Sequence, residues 1–170
     1  MTSKKILYAL VAIVAIIAVV ASAGTYALMN SSSGGKTVTV ADATSLQYTV
    51  DVTYNGTTTL AKFAGENLGS SDKILRVDLS GSGSNYDLIL NTENQTAWQT
   101  FDGNWTDVSN YYNDIMTSGC GMRWNANVAA LANWSGTGNC TYTDSTTATT
   151  FRIYNVVINP TLDASLFQHT

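Results

Sequence analysis

From residue 46 the chain alternates. Leu46, Tyr48, Val50, Val52 and Tyr54 fall on one side, with Gln47, Thr49, Asp51 and Thr53 on the other, the period-two signature of a half-buried strand. Asn55-Gly56 follows, the favoured two-residue hairpin turn, and Thr57–Phe63 reads as the returning strand. Leu75, Val77 and Leu79 alternate with Arg76 and Asp78 to give a third strand, and Gly81-Ser-Gly-Ser-Asn85 is a turn cluster. Tyr86, Leu88 and Leu90 make a fourth strand and Thr96–Phe101 a fifth, which Asp102-Gly103 turns toward Trp105.

The period then changes. Ser109 can cap a short helix through Met116, and Trp124, Val128, Leu131 and Trp134 recur at helical spacing, which predicts a second helix near Asn125–Trp134. Strands return at Thr141–Thr143 and Thr149–Ile158. The alternation slips between Phe151/Ile153 and Tyr154/Val156/Ile158, as a β-bulge or a strand buried on both faces would require. Asn159-Pro160 ends the last strand, and Leu162, Leu166 and Phe167 form a closing apolar clip. The expected class is α+β: an N-terminal apolar helix, then a mostly antiparallel sheet, half-barrel or sandwich-like, with one or two helices packed on one face.

The N-terminal helix is expected from Ile6–Val20, which carries no charge and follows Lys4 and Lys5. One reading is a secretory signal with Ala21-Ser22-Ala23 as its cleavage site. The other is a retained anchor: Ile6–Met29 is 24 residues, roughly 36 Å of helix against a bilayer core of about 30 Å. The basic start would remain cytoplasmic. Both readings place the rest of the chain outside. Residues 1–29 are thus a signal peptide or transmembrane anchor, 30–36 a flexible Ser/Gly tether, and 37–170 an extracytoplasmic β-rich domain, secreted or membrane-anchored through residues 6–29.

Composition narrows the function. Lys+Arg is 8 against Asp+Glu 12, so no basic stripe exists to neutralise phosphates, and nucleic acid is excluded as a partner. Thr, Ser and Asn number 24, 16 and 15, so hydroxyls and amides rather than charges solvate the surface.

Cys120 and Cys140 are the two cysteines, and in an exported chain they read as one disulfide. A loop of that length is worth roughly 3 kcal/mol in the chain-entropy model. A metal site is the alternative, but two thiolates need further ligands, and the one histidine, His169, sits in the tail. Asn30, Asn55, Asn94, Asn104, Asn133 and Asn139 each begin an Asn-x-Ser/Thr acceptor triplet for N-glycosylation.

No catalytic constellation emerges. Ser/His/Asp chemistry lacks a positioned histidine. Asp51, Asp78 and Asp87 fall on polar strand faces as solvated charges, and Arg76 with Asp78 reads as a surface ion pair. No cofactor or metal is expected. The aromatics of the second half are either core or ligand-lining. If a cavity exists, Trp98, Trp105, Val128, Leu131 and Trp134 are the residues expected to line it.

Lys73-Ile-Leu-Arg-Val-Asp-Leu79, Tyr86-Asp-Leu-Ile-Leu-Asn91, Ala97-Trp98, Asn104-Trp105 and the ending Asn159-Pro-Thr-Leu-Asp-Ala-Ser-Leu-Phe167 together resemble the lipoprotein-carrier superfamily of LolA-like and LppX-like proteins. The resemblance implies a half-open barrel holding helices against its concave face, with an apolar cavity for acyl chains. The chain departs from the family in lacking a long amphipathic helix before the first strand, a lipobox cysteine, and some strands after the helices. The overall plan of basic start, apolar helix and Ser/Thr-rich β domain is similar to archaeal type IV pilins, although Lys5 stands where that family has a small residue.

The functional expectation is an exported, non-enzymatic cell-surface domain binding an apolar ligand, a lipid or an envelope component. The alternative is a subunit of an extracellular filament. It would self-assemble through the apolar helix, or by lending Lys36-Thr-Val-Thr-Val40 to a neighbour's sheet edge.

Overall fold

The computed structural model describes residues 39–81, 84–101 and 103–169. After a 3-10 turn at Val40–Asp42 come β1 (Ser45–Tyr54), β2 (Thr57–Glu66), β3 (Ile74–Gly81), β4 (Ser84–Asn91), β5 (Thr96–Phe101) and β6 (Asn104–Asp107). A 3-10 turn at Ser109–Tyr111 leads into α1 (Tyr112–Ser118) and α2 (Cys120–Leu131). β7 (Cys140–Asp144), β8 (Thr149–Ile158) and a 3-10 turn at Ala164–Phe167 complete the order.

Every strand pairs antiparallel in one eight-stranded sheet, in the order β6-β5-β4-β3-β2-β1-β8-β7. The first six strands are a meander. The helical run 109–131 then leaves the β6 edge and delivers the chain to the opposite edge as β7, and β8 closes against β1. This corrects the expected α+β class. The described residues are one open sheet plus a single helical run of 23 residues, neither a sandwich nor a sheet preceded by an apolar helix. The segment 6–29, on which that helix and the transmembrane anchor were expected, lies outside the described residues. Among the described residues no helix is long and apolar enough to cross a membrane.

Local chemistry sets the turns and the register. Asn55 and Gly56 both take positive φ, +48° and +77°, as the tight hairpin turn requires. The slip in β8 is a bulge. Gln47 pairs with Val157 but Thr49 with Tyr154, leaving one extra residue on β8, and Asn155 there has φ +52°. The Asn159 side chain clamps the base of β1: its Oδ1 accepts from Thr44 N at 2.8 Å and Ser45 N at 3.3 Å.

One sheet face carries the core. Leu46, Tyr48, Val50, Val52, Phe63, Leu75, Val77, Leu88, Leu90, Phe151 and Ile153 are buried there beneath Ile115, Trp124 and Leu131 of the helices. Trp124 packs on Tyr48 and Phe63, at centroid distances of 5.4 and 6.3 Å. Burial of each such side chain contributes about 1.5–3 kcal/mol.

The second helix starts earlier than the apolar spacing alone suggests, and the first starts later than a cap at Ser109 would place it. Ser109 does not cap a helix. Its hydroxyl joins β5, accepting from Ala97 N at 3.1 Å, while Asp107 accepts from Ser109 N at 2.8 Å. α2 spans Cys120–Leu131 rather than 125–134, and Trp134 lies beyond its end.

The expected disulfide is also corrected: Cys120 and Cys140 are both free thiols. Cys120 begins α2, whereas the Cys140 thiol donates to the carbonyl of Ala130 near the helix's other end, at 3.5 Å. Ten residues of helix rise about 15 Å, and a disulfide needs Cα atoms within about 7 Å. The helix that the bridge was expected to bracket instead holds the two thiols apart.

Candidate functional site

Register decides which aromatics can meet. On β5, Ala97 and Gln99 face the core, and Trp98 between them faces outward. Gln99 tolerates burial because Tyr86 Oη donates to its Oε1 at 3.3 Å. Trp105 is paired with Thr100 and shares the outer face with Trp98. Val128, Leu131 and Trp134 belong to the helical side, where Leu131 is core and Trp134 Nε1 is pinned to Gly138 O at 3.2 Å. The five residues expected to line one cavity are therefore divided between opposite faces of the sheet. Trp98 and Trp105 are brought together; Val128, Leu131 and Trp134 are not brought to them.

Around the two tryptophans the outer face forms a built cluster. Arg76, only 16% exposed at its side chain, donates from Nε to Asp78 Oδ1 at 2.6 Å and from Nη2 to Asp87 Oδ2 at 3.1 Å. Its remaining Nη1 donates to Leu166 O at 2.7 Å, and its guanidinium lies 5.9 Å from the Trp105 ring centroid. Asp78 and Asp87 are direct cross-strand partners. Two carboxylates so placed repel, and Arg76 bridges them. Burial, then the Asp78 charge, push the Asp87 carboxyl above its ordinary value, and Arg76 opposes the rise. The solvated ion pair expected from the alternation is instead a half-buried three-member network. Thr100 lies in the same face, 4% exposed, and its Oγ1 has no hydrogen-bond partner.

The closing segment lies across this face. Asp163 accepts from Ser165 N at 2.9 Å and starts the 3-10 turn Ala164–Phe167. From there the chain reaches Arg76 through Leu166, and His169 stacks on Trp98, at a centroid distance of 3.9 Å and an interplanar angle of 11°. His169, expected in a loose tail, is an ordered part of the face.

A second polar cluster lies beneath α2, and the sequence reading missed it. Arg123 and Asn127 are 7% and 0% exposed. Tyr142 Oη donates to Asn127 Oδ1 at 2.7 Å, Asn127 Nδ2 donates to Tyr48 Oη at 3.4 Å, and Arg123 Nη1 donates to Tyr142 Oη at 3.3 Å. The guanidinium stacks over Phe151 at 3.9 Å. Burial raises the pKa of Tyr48 and of Tyr142, so both stay protonated. Burial likewise pushes the Cys120 thiol up to about 12. The available signal was spacing: Arg123, Asn127 and Leu131 recur every four residues along one stripe of the helix.

Of the expected glycosylation sites, Asn55, Asn94, Asn104, Asn133 and Asn139 are all exposed, at turns and strand starts. Asn30 lies outside the described residues. Asn139 and Asn104 are neighbours to or members of the two edge strands. With its amide oxygen toward β8, Asn139 also accepts from Arg152 Nε and Nη2 at 3.1 and 3.0 Å. Among the described residues no group of three or more His, Cys, Asp or Glu could hold a metal ion.

The fold and site define a single-sheet β domain with a strapped outer face. Set against family models, curated proteins and solved structures, the chain matches none of them.

Proposed function

We propose that this is an exported, non-enzymatic cell-surface domain that binds an envelope component whose rings have an apolar face and a polar rim, a saccharide above all, on the outer face of its sheet. The observation that carries the reading is the stacking of the His169 ring on Trp98 beside the Arg76 network. The face already accommodates a planar ring, with hydrogen-bonding groups at its margin. Aromatic platforms beside charged hydrogen-bonding groups suit such ligands. Export is supported by the uncharged opening segment and by the exposure of the five described Asn-x-Ser/Thr sites, not by the cysteines.

The test is a tryptophan-fluorescence titration of the full chain with soluble cello- and manno-oligosaccharides and with phosphatidylglycerol vesicles. Saturable quenching by a saccharide, lost in Trp98→Ala, supports the reading. A response to vesicles alone favours a lipid surface, and no response to any probe overturns ligand binding at this face. The filament alternative has the two open edges β6 and β7 in its favour. Of its lending segment, residues 36–38 lie outside the described residues, and Val40 starts a 3-10 turn. Concentration-dependent polymers in sedimentation would select that reading.

A further inference from the structure

Arg123 presents an imbalance that the outer-face reading does not touch, because it lies on the opposite side of the sheet. A guanidinium carries only donors, and here only Nη1 is engaged, by the Tyr142 hydroxyl. Nε is buried without a hydrogen-bond partner. Among the described residues no carboxylate pairs with this charge, the ion pairs there being those of Arg76 and Arg152. Asp144, two positions along β7 from Tyr142, is occupied by Thr146 N and Thr147 Oγ1. The groups around the guanidinium are protonated or neutral: Cys120, Asn127, Tyr48 and Tyr142. Donors outnumber acceptors in the cluster, and the Phe151 ring supports the cation's face without neutralising its charge.

We propose that Arg123 is the seat of an oxyanion-binding site between α2 and β7, taking a carboxylate or phosphate group. The Nε side of the guanidinium is the fork that binds such groups bidentately. Tyr142 engages Nη1 and leaves that fork without a protein partner. β7 is an edge strand and Tyr142 is half-buried, so the sheet's open edge is the route in. A free small anion and the head of an acidic amphiphile offer the same chemistry.

The test uses the full chain in a non-ionic detergent, titrated with sodium phosphate and with decanoate against sodium chloride at equal ionic strength. Thermal melting and the Nε–H resonances of the three arginines are the readouts. The expected result is a saturable rise in Tm with one or both probes and a shift of the Arg123 Nε–H signal. Affinity should fall about tenfold or more in Arg123→Gln. Phosphate acting alone identifies a small oxyanion, and decanoate acting alone an amphiphile head. Identical melting in phosphate, decanoate and chloride overturns the site, as does undiminished binding by Arg123→Gln. If that variant does not fold, an Arg123 Nε–H signal unmoved by either probe in the native protein overturns it equally.

Discussion

At the scale of single residues, close packing at the helix–sheet contact makes a sharp prediction. A Cβ built on Gly65 would lie 2.7 Å from Trp124 Cη2, 2.9 Å from Leu75 Cδ2 and 3.0 Å from Leu68 Cδ2. Gly65→Ala is expected to destabilise the fold by about 1–3 kcal/mol, the range for overpacking, read as a lowered urea midpoint with an unchanged slope. Asn127→Ala removes the bond to Tyr142 and the bond to Tyr48. It should cost about 1–3 kcal/mol through the polar groups left unpaired. What the sequence showed at this scale was turn chemistry: Asn55-Gly56 is a local demand on φ that any context must satisfy. What it hid was the facing of Trp98. Apolar size argues for inward burial, yet the register directs Ala97 and Gln99 inward, and Gln99 is acceptable there only because the Tyr86 hydroxyl reaches it from the diagonal position on β4.

Among elements, the C-terminal strap has its own pH response. The Asp163 carboxyl is held below its ordinary value by its hydrogen bond from Ser165 N and its side-chain bond to the same residue. Asp107 is held low by Ser109 in the same manner. A carboxyl lowered in the folded state stabilises above its unfolded value, and that stabilisation is lost as pH falls through the folded one, below about pH 4. Asp87 runs the other way: its raised carboxyl weakens the fold near neutrality, and acid removes that penalty. The strap should therefore loosen in acid before the sheet does. Amide exchange at Leu166 and Gln168, corrected for intrinsic rates, should accelerate there, and Asp163→Asn should show the same acceleration at neutral pH.

The clearest strands, β1 and β3, were legible because alternation survives in them, and the β8 slip marked the bulge. The beginning of α2 was not. Gly119 and Gly121 flank its first residue, and glycine disfavours a helix interior, yet Gly121 lets α2 close on Met116 of α1, where a Cβ would lie 2.6 Å from the Met116 Cα.

At the level of the whole molecule, the two thiols are structural. Burial raises both, Cys120 to about 12. Reducing agent should leave Tm unchanged. Iodoacetamide should modify half-buried Cys140 first and Cys120 only after denaturant is added, as peptide mass spectrometry would resolve. A Tm that falls on reduction would show a bridge after all. The sequence could count the cysteines but could not place them, because their separation depends on where α2 begins.

The Asn159 clamp has a mechanical consequence. β1 and β8 are antiparallel neighbours, and the clamp ties Ser45 to the far end of β8, so both ends of the sheet-forming chain leave from one rim. A load pulling those ends apart would open the β1–β8 hydrogen bonds in series, like a zipper, rather than shearing them all at once. Such a domain tolerates little tension along its own chain and is suited to hang from one attachment, a geometry that single-molecule stretching would register as unfolding at low force.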